Sequence, residues 1–208
     1  MIKAIVFDLG GVLVPLNREA CVDAFRAIGV DSFANMLDKY VQGGFFLEYE
    51  KGLIDTCRFR EIIKESIEDR EYAKNLDNSL IDNAMGAFLE PIAHYKLDLL
   101  IDLKKSYPLY MLSNTNPIAI EVVKPFFNYR NLGMGDYFNA LFLSYEMKMA
   151  KPDTDIFIKM VQEIGLPANE ILFIDDASVN IESAKSVGLT TILYTDDLDL
   201  KKEIYDLL

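Results

Sequence analysis

The sequence predicts an α/β fold: a doubly wound core around a parallel sheet, with a helical segment inserted after the first strand. Three observations predict it. Five short runs, Ala4–Phe7, Leu109–Leu112, Leu141–Leu143, Ile171–Ile174 and Thr191–Leu193, are mostly apolar throughout, as strands covered on both faces are. Helical patterns separate the last four runs, which is the alternation of a doubly wound sheet. The span from Asn17 to Glu90 carries helical stripes and no convincing strand, so the first strand stands apart from the others.

The elements follow in order. The first run ends at Asp8, and Gly10 and Gly11 come almost at once, which reads as a buried strand delivering one carboxylate to a tight turn. In the insertion, Val22, Phe25 and Ile28 form one stripe. Asp55 caps a helix carrying Phe59, Ile62 and Ile63, and Leu80, Ala84 and Phe88 form a third stripe. Phe45, Phe46 and Tyr49 read as packing within the insertion, with the lining of a pocket beneath it as the alternative. His94, the single histidine, falls at the return to the core, where a surface or hinge role is expected. Asn116-Pro117 opens a helix with proline at its first position. Residues 126–137 read as an irregular loop. Asp153 caps a helix striped by Phe157, Met160, Val161 and Ile164 and closed by Gly165. Ser178 caps another that runs through Ile181 and Ala184 to Gly188, and Leu200, Ile204, Leu207 and Leu208 close the chain as a short helix. An insertion that leaves directly after Asp8 sits over that end of the sheet. A lid there would exclude water from the chemistry; a static second layer of helices is the alternative.

The bulk properties narrow the field. The 208 residues are half apolar, enough for one large domain or a core with a smaller insertion. The formal charge of −12 repels polyanions, so nucleic acid and anionic membrane surfaces are not expected partners. Cys21 and Cys57 show no metal or disulfide spacing, and a reduced cytoplasmic compartment is the expectation. The stretch Lys3–Leu16 loosely resembles a signal peptide, but Asp8 interrupts it and no small-residue cleavage site follows. No apolar run has the length of a membrane span.

In open α/β sheets, ligands bind beyond the carboxyl ends of the strands. Asp8 follows the first strand, Ser113-Asn114-Thr115-Asn116 the second and Asp175-Asp176 the fourth, while Lys151-Pro152-Asp153 precedes a helix. Taken singly, Ser113 is a turn former, Lys151 a surface charge and Asp176 an acid at a helix start. Together they place three acids and a lysine on one edge. Such carboxylates repel one another unless a cation joins them, and a hard cation such as Mg²⁺ takes carboxylates, waters and substrate phosphate. Lys151 would neutralise both Asp8 and a substrate anion. Ser113 and the backbone N–H groups after it would offer donors at a helix start. Asp8 then fits as a nucleophile that accepts a phosphoryl group and later yields it to water.

The stretches FDLGGVL around Asp8, LSNTN around Ser113, KPDTDIF from Lys151 and FIDDASVN through Asp175 and Asp176 resemble, in order, the motifs of the haloacid dehalogenase-like hydrolase superfamily. YEKGLID, from Tyr49 to Asp55, resembles that family's smaller helical cap. The resemblance implies a Rossmann-like core of residues 1–16 and 91–208 with a helical cap at 17–90. It implies Asp8 as nucleophile and metal ligand, Gly10 as a ligand through its carbonyl, and Asp176 as the second carboxylate on Mg²⁺. It assigns the transferring phosphoryl group to Ser113 and Asn114, and makes Lys151 the bridge from it to Asp8. Asp175 and Asn180 would stand behind these, Asn180 at a position often acidic in the family. Asn17, Arg18 and Asn116 are expected to touch substrate. The expected partner is a small phosphorylated metabolite, and the expected assembly a monomer or weak homodimer.

The departure is Gly10. Family phosphatases usually carry an aspartate there, which protonates the leaving oxygen and then activates water. A positioned acid typically contributes about 10²–10⁴-fold. Its absence leaves three expectations: an easy leaving group such as the anomeric oxygen of a sugar 1-phosphate, a substitute acid from cap or substrate, or lost turnover. Relatives with glycine at this place include sugar-phosphate phosphatases, which favours the first. The alternatives to a Mg²⁺-dependent phosphatase are a metal-independent 2-haloacid dehalogenase and a low-activity or non-catalytic domain that binds phosphorylated ligands.

Overall fold

A computed structural model describes residues 1–35 and 44–208. Five parallel strands, β1 Ala4–Phe7, β2 Leu109–Ser113, β3 Ala140–Leu143, β4 Ile171–Asp175 and β5 Thr190–Leu193, form one sheet in the order β3-β2-β1-β4-β5. The chain winds outward from β1 to β3 and then returns to lay β4 on the other side of β1. The crevice between β1 and β4 is therefore the point where such sheets bind ligands. β1 is central, with Phe7 paired to Met111 and to Ile174, and the ladder continues as the Asp8 N–H donates to the Ile174 carbonyl at 2.9 Å. Every residue of β1 and β4 is buried, because apolar clusters cover both faces of the sheet.

The helices are α1 Arg18–Ala27, α2 Gly44–Glu50, α3 Thr56–Glu65, α4 Arg70–Asn75 and α5 Asn78–Gly86 in the insertion. In the core they are α6 His94–Lys104, α7 Pro117–Val123, α8 Met134–Tyr137, α9 Ser144–Met147, α10 Thr154–Ile164, α11 Ser178–Ser186 and α12 Leu200–Leu207. The chain leaves and re-enters the core side by side: the Asn17 N–H donates to the Phe88 carbonyl at 2.8 Å and the Glu90 N–H to the Pro15 carbonyl at 3.0 Å. Beyond that crossing, α1–α5 close an apolar cluster of their own. Phe25 stacks on Phe33 with centroids 3.6 Å apart and Tyr49 on Phe59 at 4.4 Å. Ile118 of α7 joins that cluster from the core.

The expected caps divide. Asp55 accepts from the Arg58 N–H at 2.7 Å, and Asn116 accepts from the Ala119 N–H at 3.0 Å ahead of Pro117. Asp153 occupies the cap position of α10 but makes no capping bond; its Oδ2 accepts from Lys51 Nζ at 3.0 Å instead. Ser178 is the first residue of α11 rather than its cap. The adjacent Ala177 N–H donates to Asp175 Oδ1 at 2.8 Å, so a site acid does part of the capping. One stripe shifts in phase and one keeps its phase but ends earlier. Leu80 is exposed and α5 buries Ile81, Ala84 and Met85; Leu207 is exposed and α12 buries Leu200 and Ile204. Residues 126–137 are more regular than an irregular loop, since α8 lies there and buries Tyr137 against Phe127 and Phe138. Among the described residues, no helix is long and apolar enough to cross a membrane.

Candidate active site

The ends of β1, β2 and β4 bring the predicted polar residues together. Lys151 is their hub and is buried. Its Nζ lies 2.6 Å from Asp175 Oδ2, 2.8 Å from Asp8 Oδ1 and 3.2 Å from the Leu112 carbonyl. Those three partners match the three donors of an ammonium group. Asp8 Oδ1 also accepts from the Leu9 N–H at 2.7 Å. Asp175 is fully buried, and its oxygens take Lys151, the Ala177 N–H and Asn180 Nδ2, the last at 2.9 Å. It is thus nearly saturated as an acceptor.

Asp8, Asp175 and Asp176 each offer an oxygen, and the three lie within 4.8 Å of one another. The close approach of Asp176 depends on Gly11. At φ +77°, a Cβ on Gly11 would fall 2.1 Å from Asp176 Oδ2, so only glycine fits beside that carboxylate. Gly10 is less constrained: a Cβ there would meet the Leu16 side chain at 3.3 Å.

One lysine serves three acids. Burial lowers the Lys151 pKa, but Asp175 and Asp8 more than offset this and raise it, so Lys151 is a cation. Burial pushes the Asp8 carboxyl well above its ordinary value; Lys151 opposes that push, and Asp175 and Asp176 reinforce it. The cluster is short of positive charge. Asp8 and Asp176 lie beside Asp175 in this cluster, and Gly10 lines the same cavity, so the site is rich in the oxygen groups that a hard cation takes.

Ser113 is buried and lines the same cavity as Asp8, Asn116, Lys151, Asp176 and Asn180. Asn114 also lines it, but its side chain is committed. Asn114 Nδ2 donates to the Lys151 carbonyl and Asn114 Oδ1 accepts from the Lys151 N–H, both at 2.8 Å. The amide thereby clamps the loop that carries Lys151. Nearby backbone donors are also in use, since the Thr115 N–H bonds Ser144 Oγ at 2.9 Å. Asn17 and Arg18 do not line this cavity. Asn17 sits at the crossing into the insertion, where the first turn of α1 needs an acceptor. It caps Ala20 and bonds Glu90 at 2.8 Å, while Arg18 donates to the Ala34 carbonyl at 2.6 Å. His94 is exposed and stacks on Tyr129 at 4.6 Å.

The insertion supplies the facing wall. Phe46, Met85, Phe88 and Leu89 make it mainly apolar. Phe45 packs on Phe59 with centroids 5.7 Å apart, and Tyr49 stacks on the same ring, so of the three aromatic candidates only Phe46 reaches the cavity. Glu50 lines it as well, a residue that sequence reasoning passed over. A signal was present: Glu50 lies four residues after Phe46, on the same face of α2.

The chain matches the haloacid dehalogenase-like hydrolase family over residues 2–188. It belongs to that family. This hydrolase is 35% identical over 205 residues to D-ribitol-5-phosphate phosphatase of Bacteroides thetaiotaomicron, covering 98% of this chain and 97% of the relative. It resembles a solved wild-type family enzyme of the same organism, in complex with magnesium and inorganic phosphate, with a TM-score of 0.87, 38% identity and coverage of 98% and 99%. A predicted family hydrolase of Porphyromonas gingivalis matches with a TM-score of 0.88, 35% identity and coverage of 100% and 98%.

Proposed function

We propose that this hydrolase is a Mg²⁺-dependent phosphatase of a small phosphorylated metabolite, working through an aspartyl-phosphate on Asp8. The observation that carries the reading is the shared lysine: Asp8 is held at 2.8 Å by Lys151 in a cluster whose acids outnumber its cations. A phosphate monoester adds further negative charge, so the site needs a cation to admit it. Asp8, the Gly10 carbonyl and Asp176 are the groups that would hold Mg²⁺, which when bound neutralises charge on the nucleophile and the phosphoryl oxygens. The solved relative with magnesium and phosphate supports this assignment.

The chain's own residues do the rest. Asp8, oriented by the Leu9 N–H and Lys151, attacks phosphorus. Lys151 turns the donor of its longest bond, 3.2 Å to the Leu112 carbonyl, toward the phosphoryl group. Ser113 offers its hydroxyl, and the Asn114 side chain keeps Lys151 in place, leaving any contact of residue 114 with phosphate to its backbone. Asp175 and Asn180 hold the lysine from behind. Asn116 is the member of the predicted substrate contacts retained, because it lines the cavity. Free Cys21 and Cys57 support a cytoplasmic location.

A metal-free dehalogenase gains nothing from Asp176 beside the nucleophile. D-ribitol 5-phosphate, the substrate for which the Bacteroides relative is named, has a primary alkoxide as leaving group, which argues against restriction to easy leaving groups. The test is phosphate release from pentitol, hexose and aryl phosphates with Mg²⁺ or with chelator, beside Asp8→Asn. Release that requires Mg²⁺ and disappears in the variant is expected. Chloride release from 2-chloropropionate in chelator would overturn the reading.

A further inference from the structure

The difficulty with a primary alkoxide is its proton, since Gly10 offers no acid. The cap wall does. Glu50 ends α2, is 5% exposed and lines the cavity with Asp8, Gly10 and Lys151. Its Oε2 is buried and has no hydrogen-bond partner among the described residues. A buried carboxyl oxygen without a partner is unfavourable, and its presence in a cavity calls for a ligand.

The position of Glu50 is set by the core. Ser144 Oγ donates to the Glu50 carbonyl at 2.7 Å and accepts from the Thr115 N–H, two residues after Ser113. Lys51 pairs with Asp153 at 3.0 Å, and Lys148 Nζ donates to the Gly52 carbonyl at 2.5 Å. Gly52 itself is pressed on the core: at φ +59°, a Cβ there would lie 2.2 Å from the Tyr145 carbonyl oxygen. Residues 50–52 thus fasten the cap to the loops that carry Ser113 and Lys151.

We propose that Glu50 is the proton donor to the leaving oxygen, supplying from the cap the acid that Gly10 lacks. The inference rests on the phosphatase reading above. As Asp8 forms its bond to phosphorus, the bond from phosphorus to the leaving oxygen breaks, its electron pair stays on that oxygen, and the Glu50 proton goes there. The Glu50 carboxylate then takes a proton from the water that attacks phosphorus. The bond from phosphorus to Asp8 breaks, its electron pair returns to the carboxylate, and inorganic phosphate leaves. Burial pushes the Glu50 carboxyl up to about 8 against the pull of Lys151, so it carries its proton at neutral pH.

The experiment compares Glu50→Gln with the unaltered protein on ribitol 5-phosphate and on 4-nitrophenyl phosphate, whose leaving group needs no proton. On the alkyl ester kcat/KM, which reads the transfer to Asp8 and not the later hydrolysis common to both esters, should fall by about 10²-fold or more, within the range of a general acid, and on the aryl ester at least tenfold less. An equal fall on both esters, or no fall on the alkyl ester, overturns the proposal. A second readout needs neither metal nor turnover: the difference between the infrared spectra of the free parent protein and Glu50→Gln at pH 7 should show the loss of one protonated-carboxyl band, and an unchanged protonated-carboxyl region also overturns the proposal. Failure of the phosphatase reading itself is seen separately, as an unaltered protein that releases no phosphate from either ester with Mg²⁺.

Discussion

Asp175 at the end of the sheet and Glu50 on the cap wall are both buried acids in one site, and they are held in opposite ways. Asp175 accepts from Lys151, the Ala177 N–H and Asn180, so its bonding capacity is spent inside the protein. Glu50 keeps one buried oxygen without a partner among the described residues. An acid whose bonds are all internal positions its neighbours; one that keeps an open bond is placed to meet something that arrives. The core therefore supplies charged groups fixed by one another, while the insertion supplies apolar walls and a single acid with an open bond.

The core half of that comparison breaks most severely at Lys151. Replacement by Met removes the cation shared by Asp8 and Asp175 and leaves buried carboxylates uncompensated. Losing one partner of a buried pair costs about 3–5 kcal/mol. Lys151→Met should lower the urea midpoint accordingly in metal-free protein and abolish phosphate release. Retention of the parent midpoint would mean that the acids are not ionised around the lysine.

The cap half is read by pH. In the folded protein Glu50 holds its proton up to about 8, while in the unfolded chain it releases it near the ordinary value of 4.5. The folded state thus carries the extra proton between these values. The stability from this group is fully present below about 4.5 and is lost as pH rises through about 8. Glu50→Gln has no such loss, so its stability relative to the parent should rise by a few kcal/mol from pH 4.5 to pH 8, as measured by urea unfolding across that range. A difference independent of pH would mean that Glu50 ionises normally.

The two halves were also unequally legible in the sequence. Strands buried on both faces are apolar at every position, so β1 and β4 announced themselves most clearly, and the polar residues closing the first, second and fourth strands marked the ligand-binding edge. Ser113 and Asp175 proved to be the last strand residues, one place inside the expected turns. The use made of each side chain was less visible. That Asn114 clamps the Lys151 backbone depends on two loops 37 residues apart meeting. Glu50 lies in a run where acids alternate with aromatics and reads as a solvated face; its burial comes from the Ser144 and Tyr145 contacts that press this turn on the core. The stripe in α5 was displaced by one residue, from Leu80 to Ile81, because periodicity fixes a helix more firmly than the face it turns inward.

The adjacent glycines of the first turn sharpen the comparison further. Gly11→Ala puts a side chain into a left-handed conformation and against Asp176, at a cost of about 1–3 kcal/mol in strain alone. It should weaken Mg²⁺ binding, measured by calorimetry, as Asp176 is pushed aside. Gly10→Ala meets only the flexible Leu16 side chain and should leave both stability and Mg²⁺ affinity near the parent values. Equal effects at the two positions would show that the carboxylate beside Gly11 has room to move.

Gly10 then offers the finest test of how work is divided between core and cap. An aspartate there is sterically admissible, since its Cβ contact of 3.3 Å is with the end of Leu16 and its backbone is not left-handed. If Glu50 already protonates the leaving oxygen, Gly10→Asp adds little in the parent protein. In the Glu50→Gln background it should restore kcat/KM on an alkyl phosphate by about tenfold, a fraction of what a well-placed acid supplies. The coupling between the two substitutions is the quantity that matters, because residues sharing one role are not additive. An equal gain in both backgrounds would mean that the two acids serve different steps. Rescue confined to the Glu50→Gln background, seen on the alkyl ester and absent on the aryl ester, would mean that the cap and the first turn are alternative sites for one proton.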